Sequence, residues 1–457
     1  MKAHRVAALA ATLMLGGCMI AEPPVPSQAR VAPPVDWRSP VADRTPVSAR
    51  WWQVYGDPVM TTLIERALAS NTDVAVAAGR VREAAANEAQ ARAQFFPTVN
   101  AGATGAHART LSPFGIPTVG TNAEPQAQMA WQVDIFGRLA DLRGAARARY
   151  LASVAAHDAA ALSVAAATAS GYITLRALDA RLQVTRETLV ARTEALRLAR
   201  SRAEAGYTSR LELMQATAEY EAAAQIVPQL ERAIATQENG LSVLQGRNPY
   251  AVERGLSLSA LPVPVVPAGL PSDLLRRRPD IAQAENALAA SDLTLSAQRK
   301  AYLPNLQLTG SAGRLFATGL ANPVNLFSIG GSILAPIFDG GRARAGADAA
   351  AAQRDQAAFA YRGVALAAFQ EVDSALVALD RLNAESAHVQ AQRNALADAL
   401  RHARNRYRAG YSDYLTELDA QRGLLSADLA LVQNRADRLT ASVTIYRALG
   451  GGWDAGN

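Results

Sequence analysis

One segment of this chain occurs twice, roughly two hundred residues apart, a spacing that signals internal duplication. Ala199-Arg200-Ser201-Arg202-Ala203-Glu204-Ala205-Gly206-Tyr207-Thr208 runs on through Leu211 to Gln215-Ala216. Ala403-Arg404-Asn405-Arg406-Tyr407-Arg408-Ala409-Gly410-Tyr411-Ser412 runs on through Leu415 to Asp419-Ala420. Each copy closes a long Ala-rich run, breaks at a glycine and restarts behind Thr or Ser. Glycine leaves a helix through the left-handed conformation at no steric cost, and a hydroxyl side chain caps the helix that follows. The chain is therefore expected to make the same tight helical hairpin twice.

The runs before each turn carry apolar residues at heptad spacing. Past Phe136-Gly137-Arg138 a helix is expected to about Ala205, on the order of 100 Å at 1.5 Å per residue. Its seam is Ala161, Val164, Thr168, Leu175, Leu178, Leu182, Leu189, Leu196, Ala199 and Ala203, interrupted by Gly171, Thr185 and Arg192. The second run repeats the frame, with Leu379 and Leu382 answering Leu175 and Leu178 at a shift of 204. Upstream, Asp280-Ile281 answers Asp73-Val74, and Tyr302-Leu303-Pro304 answers Phe95-Phe96-Pro97. Phe338-Asp339-Gly340-Gly341-Arg342 answers Phe136-Gly137-Arg138.

Each half thus reads helix, two strands, long helix, turn, helix. A helix is expected over 59–94, and Asp57-Pro58 is a cap-and-first-turn pair. Strands are expected over 98–104 and 126–135 around a loop near 107–122, then over 305–314 and 326–336. The helix from about Ser209 to Gln245 should kink at Pro228. The resulting divisions are a first repeat over 51–246, a Pro-rich connector over 247–276, a second repeat over 277–452 and a tail over 453–457.

The start of the chain reads differently. Residues 1–17 combine Lys2 and Arg5 with an apolar run and Gly16-Gly17, the pattern of an export signal. That run is shorter than the ~20 apolar residues of a spanning helix. Leu15-Gly16-Gly17-Cys18 resembles a bacterial lipobox, which would make Cys18 the lipidated N-terminus; an ordinary signal with an incidental cysteine is the alternative. Residues 18–50, rich in Pro, Ala and Val, read as an extended tether.

Several function classes drop out. A net charge of +6 is spread among interleaved acids, so no nucleic-acid surface is expected. Cys18 is the sole cysteine, and the five histidines have no ligand spacing. No catalytic constellation, metal site or cofactor loop stands out, and no enzyme activity or cofactor is expected.

Four strands per chain set a geometric problem. Each is about the length that crosses a bilayer when tilted, yet four cannot close a barrel, and an open edge in lipid leaves backbone groups unsatisfied. If transmembrane, the strands must be pooled between copies: eight from a dimer, or twelve from a trimer with room for a pore. The alternative is a small soluble sheet.

Joint motifs carry a resemblance over most of the chain. They are Trp51-Trp52 with Tyr55-Gly56-Asp57-Pro58, Arg277-Arg278-Pro279-Asp280-Ile281, Phe338 to Arg342, Tyr407-Arg408-Ala409-Gly410-Tyr411, Leu418 to Arg422 and Ala448 to Trp453. With them the chain resembles the TolC family of outer-membrane efflux channels, in its lipoprotein branch serving RND-type pumps (NodT/OprM-like). The resemblance implies a mixed α and β membrane protein. It would be a homotrimer whose 12-stranded outer-membrane β-barrel continues into a long periplasmic α-helical barrel. It also implies outer-membrane lipid, a periplasmic adaptor and an inner-membrane RND-type pump as partners, with drugs or other small molecules as cargo.

By position in the family, Tyr407 and Glu212 match the pair tying the hairpins together, and Asp419 matches an acid of the constriction ring. Thr416 stands where some members have a second ring acid, with Glu417 beside it. Ser412 stands where some have a linking arginine, with Arg408 and Arg210 near enough to substitute. Gly206, Tyr207, Gly410 and Tyr411 mark the tips that would meet the adaptor. From the residues alone, Asp419 and Glu212 also fit a solvated helix face, and Tyr407 a core plug. Two other readings stay open: a channel for type I secretion or metal efflux, and a periplasmic structural coiled-coil lipoprotein.

Overall fold

The computed structural model describes residues 25–39, 45 and 47–453. Cys18, the signal segment 1–17 and residues 454–457 lie outside them. The chain divides into two units. One is built mainly on Gln90–Ala146 and Ala287–Arg362, the other on Ala32–Ala89, Arg147–Asn286 and the residues from Gly363 onward.

The first unit holds one antiparallel sheet in the order β1 (Thr98–Leu111), β2 (Pro117–Val133), β3 (Asn305–Ala317) and β4 (Val324–Leu334). The first hairpin corrects the sequence reading. Most of the expected loop over 107–122 is strand, because the β1–β2 ladder runs unbroken from Thr98 opposite Ala130 to Leu111 opposite Pro117. The Gly, Pro and Thr residues that resembled loop sit in an extended ladder whose backbone bonds do not depend on side-chain type. Only Ser112 to Ile116 turn. Between β2 and β3 the register skips Glu124 and Pro125, where proline has no N–H to give.

Successive strand residues face opposite sides, and the two sides differ. One row across all four strands reads Val99, Met129, Gly310 and Ile329; the next reads Asn100, Gln128, Ser311 and Ser328. The apolar side continues through Ala101, Ala127, Ala312 and Phe327, with Phe327 and Ile329 exposed. Trp131 lies on the same side, its indole N–H donating to the Phe95 carbonyl at 2.9 Å.

In the second unit, Asp57 is the N-cap of α1 (Pro58–Ser70). Its Oδ1 accepts from the amides of Val59 and Met60 at 2.8 and 3.1 Å, and its Oδ2 from Tyr172 Oη and the Leu256 amide, both at 2.9 Å. Four donors offset the desolvation of a fully buried carboxylate. Beside it Trp51 stacks on Tyr446 with ring centroids 5.3 Å apart.

The helix expected over 59–94 is two helices, α1 and α2 (Thr72–Ala93). Asn71 between them is extended, and its Oδ1 accepts from the amides of Asp73 and Val74 at 2.8 and 3.3 Å. A side chain that supplies its own cap restarts the helix inside a continuous apolar pattern.

The long helices are α3 (Arg138–Glu204) and, later, α8 (Arg342–Arg408), each of 67 residues. After α3 come α4 (Arg210–Ala224) and α5 (Ile226–Leu244), broken at Gln225 just before Pro228. Pro228 has no N–H to give the Ala224 carbonyl, the bond a continuous helix would make there, and its ring crowds that carbonyl. The connector leads to α6 (Leu274–Arg277) and α7 (Pro279–Arg299), and α9 (Tyr414–Ala448) follows α8. Buried Arg278 joins these segments, reaching Asp280 Oδ1 (2.9 Å), Glu371 Oε2 (2.8 Å) and the Ala448 carbonyl (3.0 Å).

Candidate functional site: the paired hairpin turns

The two turns are built alike. Gly206 and Gly410 sit at φ +76° and +78°. The amides of Tyr207 and Gly206 reach the carbonyls of Arg202 and Ala203 at 2.8 and 3.1 Å; those of Tyr411 and Gly410 reach Arg406 and Tyr407 at 2.8 and 3.1 Å. This pair of reversed bonds closes a helix on a left-handed residue. A Cβ at either glycine would meet nothing within 4 Å, so backbone conformation alone selects glycine here.

The caps lie one residue later than the sequence suggests. Ser209 Oγ accepts from the Glu212 amide at 3.3 Å, and Asp413 Oδ1 from the Thr416 amide at 3.1 Å. The Thr416 hydroxyl bonds to the same Asp413 oxygen at 2.5 Å. These bonds from the hydroxyl and amide of Thr416 hold the Asp413 carboxyl below the usual aspartate range. Thr208 and Ser412, the expected caps, have buried hydroxyls with no hydrogen-bond partner among the described residues. Tyr207 and Tyr411 are exposed, as are Leu211 and Leu415 at the start of the helices that follow.

Between the hairpins, Ala199, Ala216, Tyr414 and Leu418 form a buried cluster, with Leu196, Leu213 and Tyr407 packed against it. The Tyr407 ring lies under the Arg202 guanidinium at 5.3 Å and tilts against Tyr414 at 5.6 Å. Its hydroxyl donates to Glu212 Oε1. Burial, reinforced by the hydrogen bond to Glu212, pushes the Tyr407 hydroxyl well above the ordinary tyrosine range, so it remains a donor. Tyr407 is therefore both a packing residue and a link from α8 to α4.

Asp419 is not part of that contact. Its side chain is 66% exposed, 3.7 Å from Arg422 Nη1 on the same helix. Glu417 turns away, buried and accepting from Arg404 Nε at 3.3 Å and Gln421 Nε2 at 3.0 Å. Arg408 and Arg210 are both exposed.

The carboxylate that joins the hairpins is one the sequence reading passed over. Glu219 on α4, 8% exposed, takes Arg192 of α3 on Oε2 and Arg422 of α9 on Oε1, with Arg422 Nε at 2.8 Å. Arg192 is 4% exposed, its Nε has no hydrogen-bond partner among the described residues, and burial lowers its guanidinium pKa. A signal did exist: Arg192 occupies an apolar slot of the heptad seam, and a buried arginine requires a carboxylate. Among the described residues no group of three or more His, Cys, Asp or Glu is placed to hold a metal ion.

The profile of the family described as outer membrane efflux protein matches residues 63–247 and 270–451. The chain is 36% identical to the probable efflux pump outer membrane protein TtgC of Pseudomonas putida, over 96% of this chain and 94% of that one. It is equally similar, at 36% over the same shares, to the antibiotic efflux pump outer membrane protein ArpC of Pseudomonas putida. Among solved structures, the outer-membrane channel OprN superposes with a TM-score of 0.88 at 29% identity, over 95% of this chain and 99% of that one.

Proposed function

The chain belongs to the outer membrane efflux protein family, as an outer-membrane channel component of an efflux system, and on that premise we propose how it conducts. Three copies pool their strands into a 12-stranded barrel and their long helices into a periplasmic tunnel. Small molecules passed on by an RND-type inner-membrane pump and a periplasmic adaptor leave through it passively. ArpC is named as an antibiotic efflux protein, and drugs are the cargo class for this channel.

One observation carries this reading: adjacent residue rows cross all four strands with opposite character, Val99-Met129-Gly310-Ile329 against Asn100-Gln128-Ser311-Ser328. A wall with one oily and one polar side suits lipid outside and water inside. Within one chain β1 and β4 each keep an unpaired edge, and such an edge is not stable in hydrocarbon. Joining β1 of one copy to β4 of the next removes every edge.

At the periplasmic end the Tyr407–Glu212 bond holds the hairpins together and Asp419 contributes to an acidic constriction. The exposed Tyr207 and Tyr411 beside Gly206 and Gly410 meet the adaptor. Cys18 carries the lipid. The deciding experiment combines gel mobility with drug susceptibility. Heat-modifiable trimers, together with drug hypersensitivity of a deletion strain, are expected. A detergent-independent soluble monomer would instead favour a structural coiled-coil lipoprotein, and loss of palmitate labelling in Cys18→Ser reports the anchor.

A further inference from the structure

We propose that Arg422 sets the charge of the constriction, by exchanging Glu219 for Asp419 when the hairpins part. The inference rests on the gate reading above and adds an ion-selectivity role for a residue that reading does not use.

The first observation is an asymmetry between the two repeats. The shift of 204 that superposes the hairpins lays Leu396 on Arg192 and Gly423 on Glu219. In the second hairpin that slot is a close apolar contact: a Cβ on Gly423 would lie 3.1 Å from Leu396 Cδ2. At this slot the second hairpin closes without an ion pair, its neighbouring pair of Arg393 with Asp428 lying about a turn away and staying within that hairpin. The charged version in the other hairpin does more than hold two helices together, because it also binds the α9 residue Arg422.

The second observation is the division of Glu219. Each carboxylate oxygen serves a different arginine, Oε2 taking Arg192 and Oε1 taking Arg422. Removing the sole partner of a buried charge is strongly destabilising, whereas a charge that keeps one partner escapes most of that penalty. Arg192 is buried and stays. Arg422 is 54% exposed at its side chain, so it is the one free to leave.

The third observation fixes where it goes. Asp419 and Arg422 are three residues apart on one helix, neighbours on its surface. Any movement of α9 carries them together, while Glu219 remains with α4. With the hairpins closed, Arg422 Nε donates to Glu219 at 2.8 Å and Nη1 stands 3.7 Å from Asp419, beyond hydrogen-bond distance. Once α9 separates from α4, the whole guanidinium fork is available to the Asp419 carboxylate. The acid of the constriction is then neutralised at the moment the passage widens, and anionic or zwitterionic cargo meets less opposing charge.

Reversal potentials of the full-length protein in planar bilayers under a KCl gradient test this. Glu219→Gln weakens the latch and frees Arg422 for Asp419; Arg422→Gln weakens the same latch but strips Asp419 of its counter-charge. Both should raise current, roughly tenfold for one charge-assisted bond. Their selectivities should move in opposite directions, Glu219→Gln less cation-selective than the unaltered chain and Arg422→Gln more. A structural role alone would move both the same way, and that result, or no shift in either, overturns the exchange. Arg422→Lys, conservative at a half-exposed site, serves if Glu219→Gln does not assemble, and should keep the parental selectivity. In an Asp419→Ala background Arg422→Gln should no longer raise cation selectivity; if it still does, the exchange is wrong. Tyr407→Phe separates the two levels. If it raises current while the selectivity shifts coincide, only the exchange fails; if Tyr407→Phe and Asp419→Ala both leave current unchanged, the gate fails and the exchange with it.

Discussion

Tyr407 on one hairpin donates its hydroxyl to Glu212 on the other, joining residues 195 positions apart in sequence. The bond is half-buried and accompanies ring packing against Tyr414. Packing and bonding at this position can therefore be separated by one atom.

Tyr407→Phe keeps the ring and removes the bond. A hydrogen bond to a charged group contributes about 1.5–3 kcal/mol net, discounted here because the pair is only half-buried. Single-channel current or entry of a large antibiotic should rise roughly tenfold, with little change in the melting of the assembled protein. Tyr407→Ala, which also removes the packing, should lower the melting temperature as well.

Gly410→Ala tests the turn by backbone strain alone, since a Cβ there has open space. A left-handed alanine costs about 1–2 kcal/mol. Hydrogen exchange at the amides of Gly410 and Tyr411, which close α8, should quicken about tenfold or more, while exchange in the sheet stays unchanged. Gly410→Asn should quicken it less.

Asp413 predicts an acid dependence with a definite sign. Its folded-state pKa lies below the ordinary aspartate value of 3.8, so its contribution is complete above that value and is lost as pH falls through the depressed one. Protection of the first turn of α9 should be flat from neutrality down to about pH 5 and then decline. In Asp413→Asn, which caps without titrating, this component of the decline should vanish.

Asp57→Ala would leave four donors facing a buried cavity. Each unsatisfied buried donor costs about 1–3 kcal/mol. Water entering the space would recover part of that loss. A fall in melting temperature of the assembled protein, with no change in ion selectivity, is the expected outcome. Altered selectivity would show that Asp57 acts on the constriction.

How much could be read beforehand depended on the kind of interaction. The long helices were legible because heptad spacing records packing along one face, and both turns were legible because a left-handed residue requires glycine. Asp57 was legible as a cap because its first partners are local. The outer part of the first strand pair was not, since residues 107–111 and 117–122 are held by cross-strand backbone bonds that leave little mark on side-chain choice. The break at Asn71 was missed because a side-chain cap can sit inside an uninterrupted apolar pattern. Within the candidate site, the contact of Tyr407 with Glu212 was reached only through family resemblance. Glu219 was missed because its two partners come from two other helices, α3 and α9, although Arg192 in an apolar seam had already indicated a missing acid.

The equal 67-residue lengths of α3 and α8 restrict how such a chain can change size. Inserting one heptad into only one of them would shift its turn by about 10 Å and carry Tyr407 beyond reach of Glu212. Lengthening or shortening must therefore be made in duplicate, and a lineage that fits a wider or narrower periplasm has to edit both copies in step.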